Sequence, residues 1–271
     1  MGTPFFSVIT VCYNSGDGAA EAVRHLAEQD FFDYEHIIKD GGSSDGSLDR
    51  VYELASADGR IRVFSSADSG IYDAMNQAIS EARGRYVFFL NCGDRFASVD
   101  VLSRVHKFVT ESSDIGEDAV IYGDFVLRGE RIRQPERLTA WYLYRRPLNH
   151  QSMFFGRGVF ERFGDFDTAF RIRADHELTL RAFRGGVVFR RVDMIVSVYE
   201  GGGFSEKAEN RELNLSELQN LRERHYTSDE LKRFRFREKF LFSGVRSALR
   251  RRSPAFIRRI YRRVANFFNG G

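Results

Sequence analysis

The chain has 271 residues, 42% hydrophobic and 29% charged, a length that buries a substantial core and fits one large α/β domain with an appendage better than two equal domains. Its two cysteines, Cys12 and Cys92, exclude a disulfide framework and favour a reducing compartment. No stretch approaches the roughly 20 apolar residues of a membrane span, and the opening MGTPFFS lacks signal-peptide and myristoylation features, so a chain neither secreted nor membrane-spanning is expected.

Apolar runs rich in Val, Ile and Phe occur at 6–11, 36–38, 61–64 and 86–90, separated by segments of helical period. That alternation predicts βαβ units and a parallel sheet. The first helix would lay Ala22, Val23, Leu26 and Ala27 on the sheet, the second Leu48, Val51, Tyr52 and Leu54, and the third Ala74, Met75, Ala78, Ile79 and Ala82. Ser47 is placed to cap the second helix. Beyond about residue 120 the rhythm changes to shorter strands, such as 120–122 and 187–192, which predicts a mixed extension of the sheet carrying a second pocket.

The net charge of +3 conceals a split, since residues 229–271 hold 13 Lys/Arg against 3 Asp/Glu, and residues 1–228 hold 28 against 35. An acidic body thus carries a basic arm suited to an anionic surface. Within that arm Ser253 and Pro254, a good N-cap and first helical position, predict that a helix restarts there. At about 100° per residue, Phe256, Ile257, Ile260, Tyr261, Val264, Phe267 and Phe268 share one arc of about 140°, opposite Arg258, Arg259, Arg262 and Arg263. This pattern predicts an interfacial helix lying on an anionic membrane, with packing on the domain or on a second subunit as its rival. No nucleic-acid recognition motif is present, and no nucleic-acid partner is expected.

In an open parallel sheet, ligands bind beyond the carboxyl ends of the strands. Those ends read TVCYNSGDG, KDGGSSDGS, SSADSGIYDAMN and LNCGD: small, polar and acidic each time. Asp, Asn, Ser and Gly are also ordinary turn formers, but four acidic loops at successive strand ends point to a site.

In that order, SVITVCYNS, IIKDGGSSDGS, DSGIYDAMNQAI followed by GRYVFFLNCGD, and HQSMFF with FGDFD and ADHELTLR resemble glycosyltransferase family 2 over about residues 5–205. The nearest likeness is to bacterial enzymes that build exopolysaccharide, capsule or O-antigen units. The resemblance implies a GT-A fold of α/β class: a Rossmann-like, mostly parallel sheet with helices on both faces, here followed by the basic helical tail. The expected division is a catalytic domain at 1–228, with a nucleotide-sugar half to about residue 120 and an acceptor half at 121–228, then the tail at 229–271.

By the same resemblance Asp40 contacts the base of a nucleotide diphosphate, and Thr10, Tyr13 and Asn14 line that pocket. Asp45 joins the donor site, Asp68, Asp73 and Asn76 flank the ribose and sugar, and Gln151 lies near the donor. A carboxylate accepts the imide N–H of uracil or the N–H groups of guanine, which leaves the base open. The expected donor is a UDP-sugar, with GDP- and dTDP-sugars as alternatives. Where family members usually carry Asp-x-Asp, this chain has Asn91, Cys92, Gly93 and Asp94. Asp94 is then the ligand for Mn²⁺ or Mg²⁺, and Asn91 a neutral neighbour; a plainer reading has Asp94 capping a helix that starts near Asp100.

Inverting transfer displaces the diphosphate from C1 in one step and needs a base for the acceptor hydroxyl. The matching acidic position is Asp175, with Glu177 as runner-up, and a capping role for Asp175 is the structural alternative. His150 is a second catalytic candidate. The glycines of GGGFS, 201–205, would let a loop close over the diphosphate. The expected enzyme is an inverting, hexosyltransferase-like glycosyltransferase of surface polysaccharide synthesis. It would act on a polyprenyl-linked or saccharide acceptor at the inner face of the cell membrane. The incomplete metal motif motivates the rival, a non-catalytic sugar-nucleotide-binding or scaffold protein.

Overall fold

The computed structural model describes residues 2–202 and 207–250. Four strands form the parallel half of one sheet: β1 Phe6–Cys12, β2 Tyr34–Asp40, β3 Ile61–Ser65 and β4 Tyr86–Phe89, in the order β3-β2-β1-β4. Every residue of β2 and β4 is buried, as both faces of a parallel sheet demand. In β4 the alternation divides the core: Val87 and Phe89 face one helical layer, Tyr86 and Phe88 the other.

Three helices connect these strands: α1 Gly18–Ala27, α2 Asp49–Ala57 and α3 Ile71–Glu81. Ala22, Val23 and Leu26 are buried on α1, and Ala74, Met75 and Ala78 on α3, as their spacing predicts. Two details differ. Tyr52 is 49% exposed, because α2 covers only the outer strands and buries just Val51 fully. Leu48, not Ser47, is the N-cap of α2, since the Ser47 N–H turns back to Asp45 Oδ1.

The second half is mixed, as its shorter apolar runs suggest. β5 Arg95–Phe96 and α4 Val101–Glu111 follow β4, then β6 Val120–Leu127 and β7 Glu130–Ile132, α5 Ala140–Arg145, β8 Met153–Gly156, α6 Arg157–Phe163, α7 Ala174–Arg184 and β9 Phe189–Tyr199. β8 runs antiparallel to both β4 and β6, while β9 lies parallel to β6 and takes β5 on its far edge. β6 and β9 extend well beyond the expected 120–122 and 187–192. Charged residues hide that continuity in the sequence: Asp124, fully buried, accepts from Arg191 Nη2 at 2.9 Å and Arg131 Nη2 at 2.6 Å. Paired in this way, the carboxylate can lie inside a strand.

Two further helices, α8 Arg211–His225 and α9 Ser228–Arg250, close the second half. α9 carries the start of the basic arm, and its first turns join the core. Phe234, 3% exposed, packs against Trp141, Tyr144 and Tyr226 at ring separations of 5.2, 5.1 and 5.7 Å. The apolar arc between residues 256 and 268 lies outside the described residues, as does most of GGGFS. No helix among the described residues is long and apolar enough to cross a membrane. Phe234→Ala should lower the unfolding free energy by about 3–5 kcal/mol, the usual effect of emptying a buried aromatic site. Urea unfolding measures it; an unchanged midpoint would show that α9 is not docked.

Candidate active site

The donor side is built at the carboxyl ends of β1, β2 and β3, around a residue the sequence reading passed over. Lys39 is 1% exposed, and its ammonium donates to the Asp40 carbonyl at 2.8 Å, the Ser66 carbonyl at 2.7 Å and Asp68 Oδ2 at 3.0 Å. All three ammonium protons are thereby satisfied inside the protein. They lock the β2 and β3 ends together and aim Asp68 at the cleft, where its Oδ1 also accepts the Gly70 N–H.

Asp40, the expected base contact, is held by its own loop. It is fully buried, and its carboxylate accepts the Gly42 and Ser43 N–H groups at 2.9 Å each, Ser65 Oγ at 2.7 Å and Ser43 Oγ at 2.5 Å. Burial pushes its pKa up, but these bonds outweigh it and hold the carboxyl below the ordinary range. Asp40 thus shapes the loop after β2. Thr10 is likewise buried, its hydroxyl donating to the Leu90 carbonyl at 2.6 Å and lying 2.9 Å from His36 Nε2, so it supports the strands from within. Asn14, with φ 47°, bridges to the same loop: its N–H donates to Ser43 Oγ, and its Oδ1 accepts the Ser44 N–H. Asp45 fastens the two loops by accepting the Gly16 N–H. Tyr13, 66% exposed, presents its ring beside Gly41, where an added Cβ would sit 3.2 Å from Tyr13 Cδ2 and 2.9 Å from Asp68 Oδ2. Asp73 accepts the Ser69 N–H and hydroxyl and so fixes the entry to α3. Asn76 lies apart from this group, both ends of its amide being bonded to the Phe166 backbone.

The other side is organised by one 3-10 turn, His150–Ser152, capped by Asn149 Oδ1 on the Gln151 N–H. Its first two side chains each hold a carboxylate: Gln151 Nε2 donates to Asp94 Oδ2 at 2.5 Å, and His150 Nδ1 to Asp175 Oδ2 at 2.9 Å. Asn91 lies between them, its Nδ2 3.4 Å from His150 Nε2. The two carboxylates have opposite environments. Burial raises the Asp94 pKa to about 6. Burial also acts to raise that of Asp175, but the hydrogen bond and charge of His150 reverse it and leave it lowered. His150 is in turn raised, because Asp175 outweighs its burial.

Asp175 is not an N-cap, for α7 begins at Ala174 behind Arg173. The groups that position it are Tyr72, whose hydroxyl lies 3.1 Å from Asp175 Oδ1 and 2.8 Å from the Ile172 carbonyl, and the His176 N–H. Glu217 on α8 accepts the N–H groups of Arg171, Ile172 and Arg173 and so caps α7 from outside. Glu177 points elsewhere and pairs with Arg181 at 2.9 Å and His225 at 3.0 Å. Lys39 could have been noticed as a lone cation inside an apolar run; Glu217 gave no local signal, standing over 40 residues from the backbone it caps.

For a divalent ion, Asp94 is a buried carboxylate at the end of β4, and the Oδ1 of Asn91 is buried without a hydrogen-bond partner. Two hard oxygens are a fitting partial set for Mg²⁺ or Mn²⁺, whose remaining positions are commonly filled by phosphate oxygens and water. Asp94 does not cap α4, whose N-cap is Asp100.

The His150–Asp175 pair has a definite pH signature. Above the ordinary histidine value of 6.5, the folded chain retains a proton that the unfolded chain has lost, so stability falls as pH rises through that window. Below the ordinary aspartate value of 3.8, the unfolded chain binds the proton first, so stability falls as pH drops. The pair therefore stabilises most between those two values. In His150→Gln, the decline in melting temperature from pH 6.5 to about 8 should shrink; a wild-type slope would show that the pair does not exchange protons on unfolding.

Residues 7–172 match the family model described as Glycosyl transferase family 2. A PGL/p-HBAD biosynthesis glycosyltransferase of Mycobacterium bovis is 31% identical over 220 residues, covering 78% of this chain and 83% of the relative. Among solved structures, the mannosyltransferase PcManGT from Pyrobaculum calidifontis, in complex with GDP-Man and Mn²⁺, superposes with a TM-score of 0.66 at 17% identity, over 97% of this chain and 80% of that one. TarS of S. aureus, residues 1–349 in complex with UDP, gives 0.61 at 20% identity, over 80% of this chain and 63% of that one. With its sheet, strand-end loops and ordered motifs in place, the chain belongs to glycosyltransferase family 2 and has the GT-A fold.

Proposed function

We propose that the protein transfers one sugar from a nucleotide-diphosphate donor to a lipid-linked or saccharide acceptor, with inversion, in the assembly of a bacterial surface glycan. One observation carries this reading: consecutive residues of a single turn hold the carboxylate at the β4 end, Asp94, and the carboxylate that opens α7, Asp175. Donor diphosphate and acceptor hydroxyl would meet between them. The similarity to a PGL/p-HBAD biosynthesis enzyme supports the glycan setting, and the UDP and GDP-Man complexes of the structural neighbours support a nucleotide-sugar donor.

On the donor side the exposed Tyr13 ring gives the base a stacking surface, and Asp68, aimed by Lys39, gives it or the ribose an acceptor. UDP-sugar remains favoured. Asp94 and Asn91 Oδ1 would hold Mn²⁺ or Mg²⁺, which when bound neutralises charge on the departing diphosphate. On the acceptor side Asp175 takes the hydroxyl proton as C1 is attacked, with Tyr72 and His150 fixing its orientation. A second reading rests on the three donors already on Asp175: Asp175 orients His150, and His150 Nε2 takes the proton. The basic α9 would bring the enzyme to an anionic membrane as a peripheral, cytoplasmic protein.

Asp175→Asn should leave donor affinity nearly intact and lower turnover by about 10²–10⁴-fold. Wild-type turnover would remove Asp175 from the mechanism, while an equal loss in His150→Gln, with the acidic limb of the pH–rate profile moved, would place the proton on His150. Asp94→Ala should weaken donor binding in Mn²⁺ and barely change it in EDTA; equal weakening under both conditions would make Asp94 structural.

A further inference from the structure

Helix α7 begins without a cap of its own. Its N-cap is Arg173, which makes no side-chain cap hydrogen bond, although the first turn behind it carries Asp175. Helices commonly start on a Ser, Thr, Asp or Asn whose side-chain oxygen takes one of the free N–H groups. Here the acceptor arrives from another helix. Glu217, 6% exposed on α8, takes the Arg171 N–H on Oε1 at 2.7 Å and the Ile172 and Arg173 N–H groups on Oε2 at 3.0 Å each. Three successive N–H groups turned toward one point form a concavity that suits an anion, and a buried carboxylate fills it.

The same segment is tied at two further atoms. Arg173 Nε donates to the Asn214 carbonyl at 3.0 Å, one turn earlier on α8. The Tyr72 hydroxyl, on α3, donates to the Ile172 carbonyl at 2.8 Å and lies 3.1 Å from Asp175 Oδ1. Ile172 is thereby fixed at both its N–H and its carbonyl, and the group that fixes the carbonyl also touches the candidate base. Glu217 thus reaches Asp175 by two routes: along the chain through Arg173 and Ala174, and across through Ile172 and Tyr72.

The two helices are also joined elsewhere. His225 Nε2 on α8 lies 3.0 Å from Glu177 Oε1 on α7, a tie that bears on Glu177 rather than on the residues in front of Asp175. Docking of α8 and placement of the base are therefore separable: the His225 contact serves the first, and Glu217 serves both. The His176 N–H, which donates to Asp175 Oδ1 at 2.8 Å, reports on where that carboxylate stands.

We infer that Glu217 is a positioning residue for the transfer reaction: by binding the N–H groups of residues 171–173 it holds the first turn of α7, and with Tyr72 the Asp175 carboxylate, where Asp175 meets the acceptor hydroxyl. α8 is then part of the catalytic unit and not only a cover on the fold. This rests on the transferase reading, in which Asp175, alone or through His150, handles the acceptor proton. Misplacing a reacting group by about 1 Å can cost on the order of 10²-fold in rate, so a lost clamp of this kind is felt in turnover.

The full chain is assayed with Mn²⁺ for hydrolysis of UDP-glucose, GDP-mannose and dTDP-glucose, at a temperature where circular dichroism shows every variant folded. Glu217→Gln keeps the shape of the side chain but only one accepting oxygen, and Glu217→Asp keeps the charge at a shorter reach, so one serves where the other does not fold. Each should lower kcat about 10–100-fold and leave KM for the cleaved donor unchanged. His225→Gln should lower the melting temperature and leave kcat unchanged. Wild-type kcat in folded Glu217 variants, or a loss of kcat that His225→Gln repeats, would overturn the inference. Exchange of the His176 amide, followed by NMR, reads the geometry without turnover: it should accelerate in the Glu217 variants and not in His225→Gln. Absence of cleavage by the wild-type chain counts against the transferase reading, whereas unchanged His176 exchange in the Glu217 variants counts against the positioning.

Discussion

The two halves of the molecule meet at a turn of three residues. Gln151 holds Asp94 at the end of a parallel strand, His150 holds Asp175 at the start of a helix, and the spacing of adjacent side chains sets the separation of the two carboxylates. Asn149 caps that turn and is tied through its Nδ2 to the Tyr199 hydroxyl at the end of β9. The position of the turn thus depends on the far strand of the mixed sheet. The antiparallel β8 follows immediately and lies between β4 and β6, so the geometry of the site is fixed by sheet pairing rather than by a free loop.

From that arrangement the two carboxylates acquire different characters. Asp94, buried with a neutral amide as its direct hydrogen-bond partner, resists ionisation and gains from a cation; Asp175, buried against an imidazole, a phenol and a backbone N–H, stays ionised. Paired carboxylates whose surroundings push them apart in acidity are a recurrent way to divide chemical roles. Lys39 performs a related service on the donor side. Buried and fully bonded, it lets a third carboxylate, Asp68, stand at the cleft without an isolated buried charge. Removing one partner of such a pair is far more damaging than the pair is stabilising.

The parallel half was legible in the sequence because its signals are local: apolar runs of strand length, helical periodicity between them, and acidic turns where the strands end. Motif position names Asp40 and Asn76 as residues of the donor side without saying which groups surround them. In the fold the loop's own N–H and hydroxyl groups surround Asp40, and the Phe166 backbone occupies Asn76. The lengths of β6 and β9 were hidden by Asp124 and Arg191, which look like strand breakers until their ion pair is seen. Tyr72 and Glu217 could not be recognised at all from one sequence, since their partners lie about 100 and 45 residues away.

The claim that the strand-end carboxylates form an inverting transferase, and not a sugar-nucleotide-binding scaffold, is most directly tested by donor hydrolysis followed by proton NMR. In the absence of acceptor, water takes the acceptor's place, and an α-linked UDP-sugar should be cleaved slowly with the β anomer of the free sugar appearing first, ahead of mutarotation. Intact UDP-, GDP- and dTDP-sugars in the presence of Mn²⁺, or first release of the α anomer, would contradict the account.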